Sequence, residues 1–137
     1  MAAQKSMEQA LGNLPRLKNN VAASEFDLVV AASPENVLYT SDAFVSTQID
    51  IRDRLALIAW DGVRDPVFVL CQVEVGFVKE ESWITDFRPY KEFVTSPIDV
   101  LAEVIDELGA ANGYIGLELD YLAAGYVDAL KARLPNA

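Results

Sequence analysis

Histidine is absent from this 137-residue sequence and cysteine occurs once. Without histidine there is no Ser-His-Asp or Cys-His arrangement and no histidine-containing zinc site. One cysteine excludes an internal disulfide framework and fits a reducing compartment. Cys71 ends the apolar run Val67-Phe68-Val69-Leu70-Cys71, where a thiol behaves as a small buried hydrophobe rather than a nucleophile. Basic residues are scarce too: 11 Lys and Arg stand against 21 Asp and Glu, a net charge of −10. Phosphate neutralisation needs clustered cations, so nucleic acid is disfavoured as a partner. No apolar run approaches the roughly 20 residues that cross a bilayer. The start, Met1-Ala2-Ala3-Gln4-Lys5-Ser6, lacks an apolar signal-peptide core. A cytoplasmic protein with no membrane partner is the expectation. Neither G-x-G-x-x-G nor G-x-x-x-x-G-K-S/T occurs, so the common phosphate-cradling loops are missing.

What is present is a chain with 52% hydrophobic and 23% charged residues, a balance that builds a core rather than a disordered segment. Its length suits one domain. Met7, Leu11 and Leu14 sit at helical spacings, and Gly12 and Pro15 divide that run. Pro15 suits the first turn of a helix entered from Asn13 or Leu14, with Leu17 and Val21 on one face. Asp27 to Ala32 reads as a buried strand, and Val37 to Tyr39 as a shorter one. Asp42 to Asp53 reads as a long, irregular loop. Arg54 to Trp60 and Pro66 to Cys71 form a hairpin around Asp61-Gly62. A short helix is expected within Gln72 to Glu81, with Val73, Phe77 and Val78 on one side, and a strand over Trp83 to Phe87. Ser96-Pro97 starts the clearest helix, striped by Ile98, Leu101, Ile105 and Leu108, and Gly109 ends it. Gly113 to Leu117 is another short strand. Asp120 is expected to cap a last helix that turns Leu122, Tyr126, Val127, Leu130 and Leu134 inward.

Strands alternating with helices, plus one hairpin, imply an α/β fold: a three-layer α/β/α domain around a mixed sheet of about five or six strands. The expected core includes Leu28, Val30, Leu57, Ile58, Phe68, Leu70, Leu101, Ile105, Ile115, Leu117 and Leu130. Carboxylates are many but do not converge in the pattern. Glu80-Glu81 reads as a solvated loop, and Asp99, Glu103, Asp106 and Glu107 as the wet face of a helix. No metal site is expected in this chain. The loop from Asp42 to Arg54 is the candidate site, because it holds Phe44, Arg52 and Arg54 amid polar residues. Arginine binds carboxylates bidentately. The competing role for both arginines is surface pairing with Asp50 or Asp53.

The order Phe26-Asp27-Leu28-Val29-Val30-Ala31-Ala32-Ser33-Pro34-Glu35-Asn36-Val37-Leu38-Tyr39 resembles the amino-terminal domain of the creatinase and Xaa-Pro peptidase family (prolidase, aminopeptidase P). There a strand ending in small residues meets a Pro and an Asn-Ile-x-Tyr-Leu-Thr-Gly-Phe-like segment. Asp61-Gly62 sits in the expected hairpin. Ile84 to Tyr90 looks like the segment before the long helix, and Ile115-Gly116-Leu117-Glu118 like the family's Ile-Gly-Val-Glu strand. The likeness covers roughly Pro15 to Pro135. It divides the chain into an extension or helix at 1–14, a possible adaptor or dimer contact, and a creatinase N-terminal-like domain at 15–137. One departure is Asp42, where the family usually has Gly; a Gly there permits a positive φ, and Asp tolerates that conformation better than most residues.

The resemblance implies a domain with a ribonuclease H-like motif that carries no catalytic metal. In the family, a following pita-bread domain supplies two Asp, one His and two Glu to a dinuclear centre of Mn, Co or Zn, and that domain is absent here. The amino-terminal domain helps dimerisation and leans over the neighbouring subunit's active site. This implies a homodimer, a covalent partner in the chain's own C-terminal catalytic domain, and a substrate-contact role for Phe44, Arg52 and Arg54. The alternative is a free-standing α/β module for protein interaction or small-ligand binding.

Overall fold

The computed structural model describes residues 4–137. Five strands, β1 (Leu28–Ala31), β2 (Leu57–Trp60), β3 (Val67–Cys71), β4 (Asp86–Tyr90) and β5 (Ile115–Gly116), make one sheet in the order β4-β3-β2-β1-β5. The β1/β2 and β2/β3 pairs are antiparallel; β3/β4 and β1/β5 are parallel. Six α-helices are present among the described residues: α1 (Leu14–Ala23), α2 (Pro34–Ser41), α3 (Ser46–Asp50), α4 (Val75–Glu81), α5 (Pro97–Glu107) and α6 (Ala124–Arg133). Every residue of β2 and β3 is buried, which is why these strands read as unbroken apolar runs.

Side chains alternate across the sheet. Leu57, Ala59, Val67, Val69 and Cys71 point to one face, where they meet Ile98, Leu101, Ile105 and Leu130 of α5 and α6. Ile58, Trp60, Phe68 and Leu70 point to the other, against Leu14 of α1, Val37 of α2 and Val78 of α4. Helices therefore cover both faces, giving the three-layer α/β/α architecture with five strands. Trp60 packs on Trp83 and Phe68 stacks on Phe87, each pair with 5.7 Å between ring centroids. Cys71 is buried and unpaired.

Helix starts follow the local chemistry. Asn13 caps α1 and accepts the Arg16 N–H, with Pro15 in the first turn. Ser33 and Ser96 cap α2 and α5, each followed by Pro at the first helical position. Gly109, at φ +76, follows α5.

Several elements differ from the sequence expectation. Val37 to Tyr39 is not a strand; it lies inside α2, because the Ser33-Pro34 start launches a helix and Val37, Thr40 and Ser41 turn inward at helical spacing. The stretch 42–53 is not wholly irregular, since α3 occupies Ser46–Asp50. Residues 72–81 are helical in two pieces, but only Val78 of the expected trio is buried; Val73 and Phe77 are exposed. Glu80 and Glu81 are exposed in the last turn of α4, not in a loop. The strand expected at 83–87 is displaced to β4, an edge strand where Pro89 is tolerated because one side needs no N–H donor. Asp120 does not cap the last helix. The backbone turns at Glu118, with the Leu122 N–H donating to the Glu118 carbonyl, and α6 begins after Ala123. The expected first helix shrinks to a 3-10 turn at Met7–Gln9. Ile115 and Leu117 are only partly buried, because β5 is the other edge of the sheet; the remaining nine expected core residues are buried.

Candidate functional site

Only Ala32 and Ser33 join β1 to α2. Extending the β1/β5 register of Leu28 with Ile115 and Val29 with Gly116 sets Glu118 beside Ala31. The Glu118 carboxylate fills the start of α2. Its Oε2 accepts the Ala32 N–H at 2.5 Å and the Ser33 N–H at 2.7 Å, and its Oε1 accepts from Asn36 Nδ2 at 2.5 Å. Burial raises the Glu118 pKa, but the Ser33 and Ala32 backbone donors and the Ser33 and Asn36 side chains outweigh it, leaving the carboxyl below its ordinary value. From α3, Gln48 donates Nε2 to the Ala32 carbonyl at 2.5 Å, while its own buried Oε1 has no partner among the described residues. Ala32 is thus clamped through both backbone groups.

Next to this clamp lies an open apolar cleft of about 450 Å³. Leu17 and Val21 of α1, Tyr39 of α2, Val29 and Ala31 of β1 and Trp60 of β2 line it, and Glu118 and Asn36 bring in its polar groups.

The loop from Asp42 to Arg54 is anchored at intervals. Thr47 donates its hydroxyl to Glu74. Arg54 grips Glu92 bidentately, through Nε at 2.5 Å and a terminal nitrogen at 2.7 Å, and stands 4.0 Å from Glu74. The Glu92 bond raises the Arg54 pKa and lowers that of Glu92. Arg54 therefore pairs, but with residues distant in sequence and not with Asp50 or Asp53. Tyr126 donates its hydroxyl to Asp53 at 2.6 Å; burial, then this bond, push its pKa up to about 12. Arg52 is exposed and makes no ion pair among the described residues. Phe44 is half exposed. The structure thus separates the three candidates: Arg54 is a strut, whereas Phe44 and Arg52 are presented outward. Next to Glu92 in the chain, Phe93 adopts φ +60 with its ring exposed.

Sequence reasoning passed over Glu118, Gln48 and Glu92 as site residues. Each acts on a partner 16 to 86 positions away, beyond the reach of local pattern; the one signal is the Ile115-Gly116-Leu117-Glu118 likeness, which marks Glu118 without giving it a role. Among the described residues no three Cys, Asp or Glu side chains converge as metal ligands. These residues do not fit a dinuclear centre. No described helix is long and apolar enough to cross a membrane.

No match was found among curated proteins. Solved structures do match. The N-terminal domain of Xaa-Pro dipeptidase from Lactobacillus brevis aligns at 18% identity and a TM-score of 0.74, over 88% of this chain and 87% of that one. A dipeptidase from Pyrococcus horikoshii OT3 aligns at 18% identity and 0.69, over 87% of this chain but 31% of that one. Prolidase from Pyrococcus furiosus aligns at 22% identity and 0.64, over 90% of this chain and 33% of that one. At such identities the likeness establishes the fold, and the chain spans about a third of each Pyrococcus enzyme. A family model, the creatinase/prolidase N-terminal domain, matches residues 14–137. With nearly the whole chain matched and the three-layer fold in place, the chain belongs to the creatinase/prolidase N-terminal domain family.

Proposed function

We propose that this chain is the non-catalytic N-terminal domain of a dinuclear-metal hydrolase of the Xaa-Pro dipeptidase or creatinase type. In this reading it packs on a C-terminal catalytic domain of the same polypeptide, contributes to a cytoplasmic homodimer, and closes the partner subunit's active site with the 42–54 loop. The Mn, Co or Zn centre belongs to the catalytic domain, and the present chain does no hydrolysis alone. One observation carries the reading: a loop fastened from below by Thr47, Gln48 and Arg54 still holds Phe44 and Arg52 out to solvent. Rigid support under exposed groups is what a positioning element requires, because a contact that is already ordered loses little entropy on binding. Arg52 suits a substrate carboxylate, and Phe44 an apolar wall.

In the full-length enzyme, Arg52→Ala is expected to raise KM, with kcat/KM falling by about 1–3 kcal/mol in transition-state terms. Thermal stability should hardly move. Unchanged kinetics for both Arg52→Ala and Phe44→Ala in the intact oligomer would refute the role of the loop. The cleft beside Glu118 favours a second reading, in which the domain also serves as a small-ligand-binding module.

A further inference from the structure

The cleft joins two features seldom found together on a structural surface. Its walls are apolar, contributed by Leu17, Val21, Val29, Tyr39 and Trp60. Its one charged lining group is the Glu118 carboxylate, which meets no Lys or Arg within ion-pair distance among the described residues. Carboxylate oxygens each accept two hydrogen bonds in their plane. Oε2 accepts the N–H groups of Ala32 and Ser33, Oε1 accepts from Asn36, and the Ser33 hydroxyl also lies against the carboxylate. A carboxylate held by neutral donors, with no counter-cation among the described residues, thus stands at the edge of an apolar hollow.

We propose that this cleft binds a small amphipathic cation, a primary amine whose ammonium group donates to Glu118 Oε1 and whose short apolar tail lies between α1 and α2 over β1. Three points select the class. An anion is repelled, because no cation lines the cleft and the chain carries −10 overall. A neutral apolar molecule would leave the carboxylate desolvated and without a counter-charge. A fully polar cation, such as a diamine, would set its second charge against the apolar walls. At about 450 Å³ the cleft takes a tail of several carbons. Tyr39 and Trp60 add aromatic faces that tolerate a nearby cation. The proposal depends on the small-ligand reading and is independent of docking by the 42–54 loop.

The test is a titration of the 137-residue chain with n-hexylamine, 1-hexanol and hexanoate, followed by amide NMR shifts. Hexylamine is expected to bind with a dissociation constant on the order of 1 mM, about tenfold or more tighter than hexanol. Shifts should concentrate at Val29 to Ser33 and Tyr39, with hexanoate silent. Glu118→Gln can retain the Oε2 bonds through its carbonyl, and should bring amine and alcohol within about twofold. Ala31→Leu, which leaves Glu118 intact and fills the hollow, should abolish binding of both. Equal binding of hexanol and hexylamine to the unmodified chain would keep a ligand site but overturn the cation proposal. So would no binding by ~10 mM, or amine shifts scattered over the acidic surface of α5 instead of at β1.

Discussion

Removing the Glu118 carboxylate should separate its two structural jobs. Ala32 is fully buried and Ser33 nearly so, and both give their N–H groups to Oε2. In Glu118→Ala these donors lose their acceptor, and a buried donor left unpaired costs about 1–3 kcal/mol. Asn36 is exposed and can turn to water, so its lost bond adds little. The open cleft lets some water reach the helix start, which puts the sum at about 2–4 kcal/mol. For a domain of this size that is a fall in Tm of about 10 °C. Glu118→Gln should be milder, near 1 kcal/mol, because a carbonyl can stay at the Oε2 position and only the charge-assisted part is lost. Its amide then faces Asn36, whose side chain can flip to accept. The effect is also pH-dependent. The folded-state pKa is depressed, so Glu118 stabilises fully above the unfolded carboxyl value and progressively less as pH falls below about 4. The stability gap between the unmodified chain and Glu118→Gln should therefore narrow in acid. Urea unfolding from pH 7 to pH 3 reads both quantities. If Ala costs no more than Gln, or if the gap widens on acidification, the cap argument is wrong.

The other expectations concern packing and turns. Gly62 has φ +78, and an added Cβ would lie 2.6 Å from the Ala22 nitrogen and 2.7 Å from the Lys18 carbonyl oxygen of α1; Gly62→Ala should cost about 3 kcal/mol or more. Gly109 has φ +76 but open space around it, so Gly109→Ala should cost only about 1–2 kcal/mol, and equal costs would remove the close-approach argument. Ile105 is fully buried between α5 and the sheet, and Ile105→Ala should lose about 2–5 kcal/mol in a denaturant titration. Asp42→Gly should leave Tm almost unchanged yet speed proteolytic cutting before residue 13, whereas Asp42→Ala should also cost about 1–2 kcal/mol of stability. Identical cutting rates for both variants and the unmodified chain would show that Asp42 does not hold the amino-terminal segment.

The parts legible in the sequence are those fixed by neighbours along the chain. Strands β2 and β3 are runs buried on both faces, with a Gly turn between them. Helix α5 has a cap, a Pro start, an apolar stripe and a Gly stop within fourteen residues, from Ser96 to Gly109. Helix α2 was harder, because Val37-Leu38-Tyr39 is too short for its period to be read and its start signal lies one step upstream in Ser33-Pro34. The site was harder still. Phe44 and Arg52 stand out by residue type, but whether an arginine is exposed or paired depends on residues such as Glu92, 38 positions beyond Arg54. Glu118 reaches Ala32 across 86 positions, and that contact exists only because β5 pairs parallel to β1.

Asp42 shows how a departure from a family pattern can be absorbed and then used. The resemblance places a glycine there, and the backbone does require one of its conformations: φ is 62° and ψ is 23°, the left-handed turn that ends α2. A β-branched residue would be badly strained in that region, while Asp is among the few that enter it at modest cost. A glycine would satisfy the turn and nothing else. The aspartate also has a carboxylate, and it points to the chain's own start. Oδ2 pairs with Lys5 at 2.6 Å and Oδ1 accepts the Leu11 N–H at 3.3 Å. Tyr39, one turn earlier in α2, accepts the Asn13 N–H. Residues 4–13, before the family-like region, are thereby fastened along the end of α2, with Gln4 reaching the Ser82 carbonyl beside α4. A substitution that costs the turn about 1 kcal/mol adds a partly buried ion pair and a backbone hydrogen bond that glycine cannot make. The extension and the departure at position 42 thus form one structural unit.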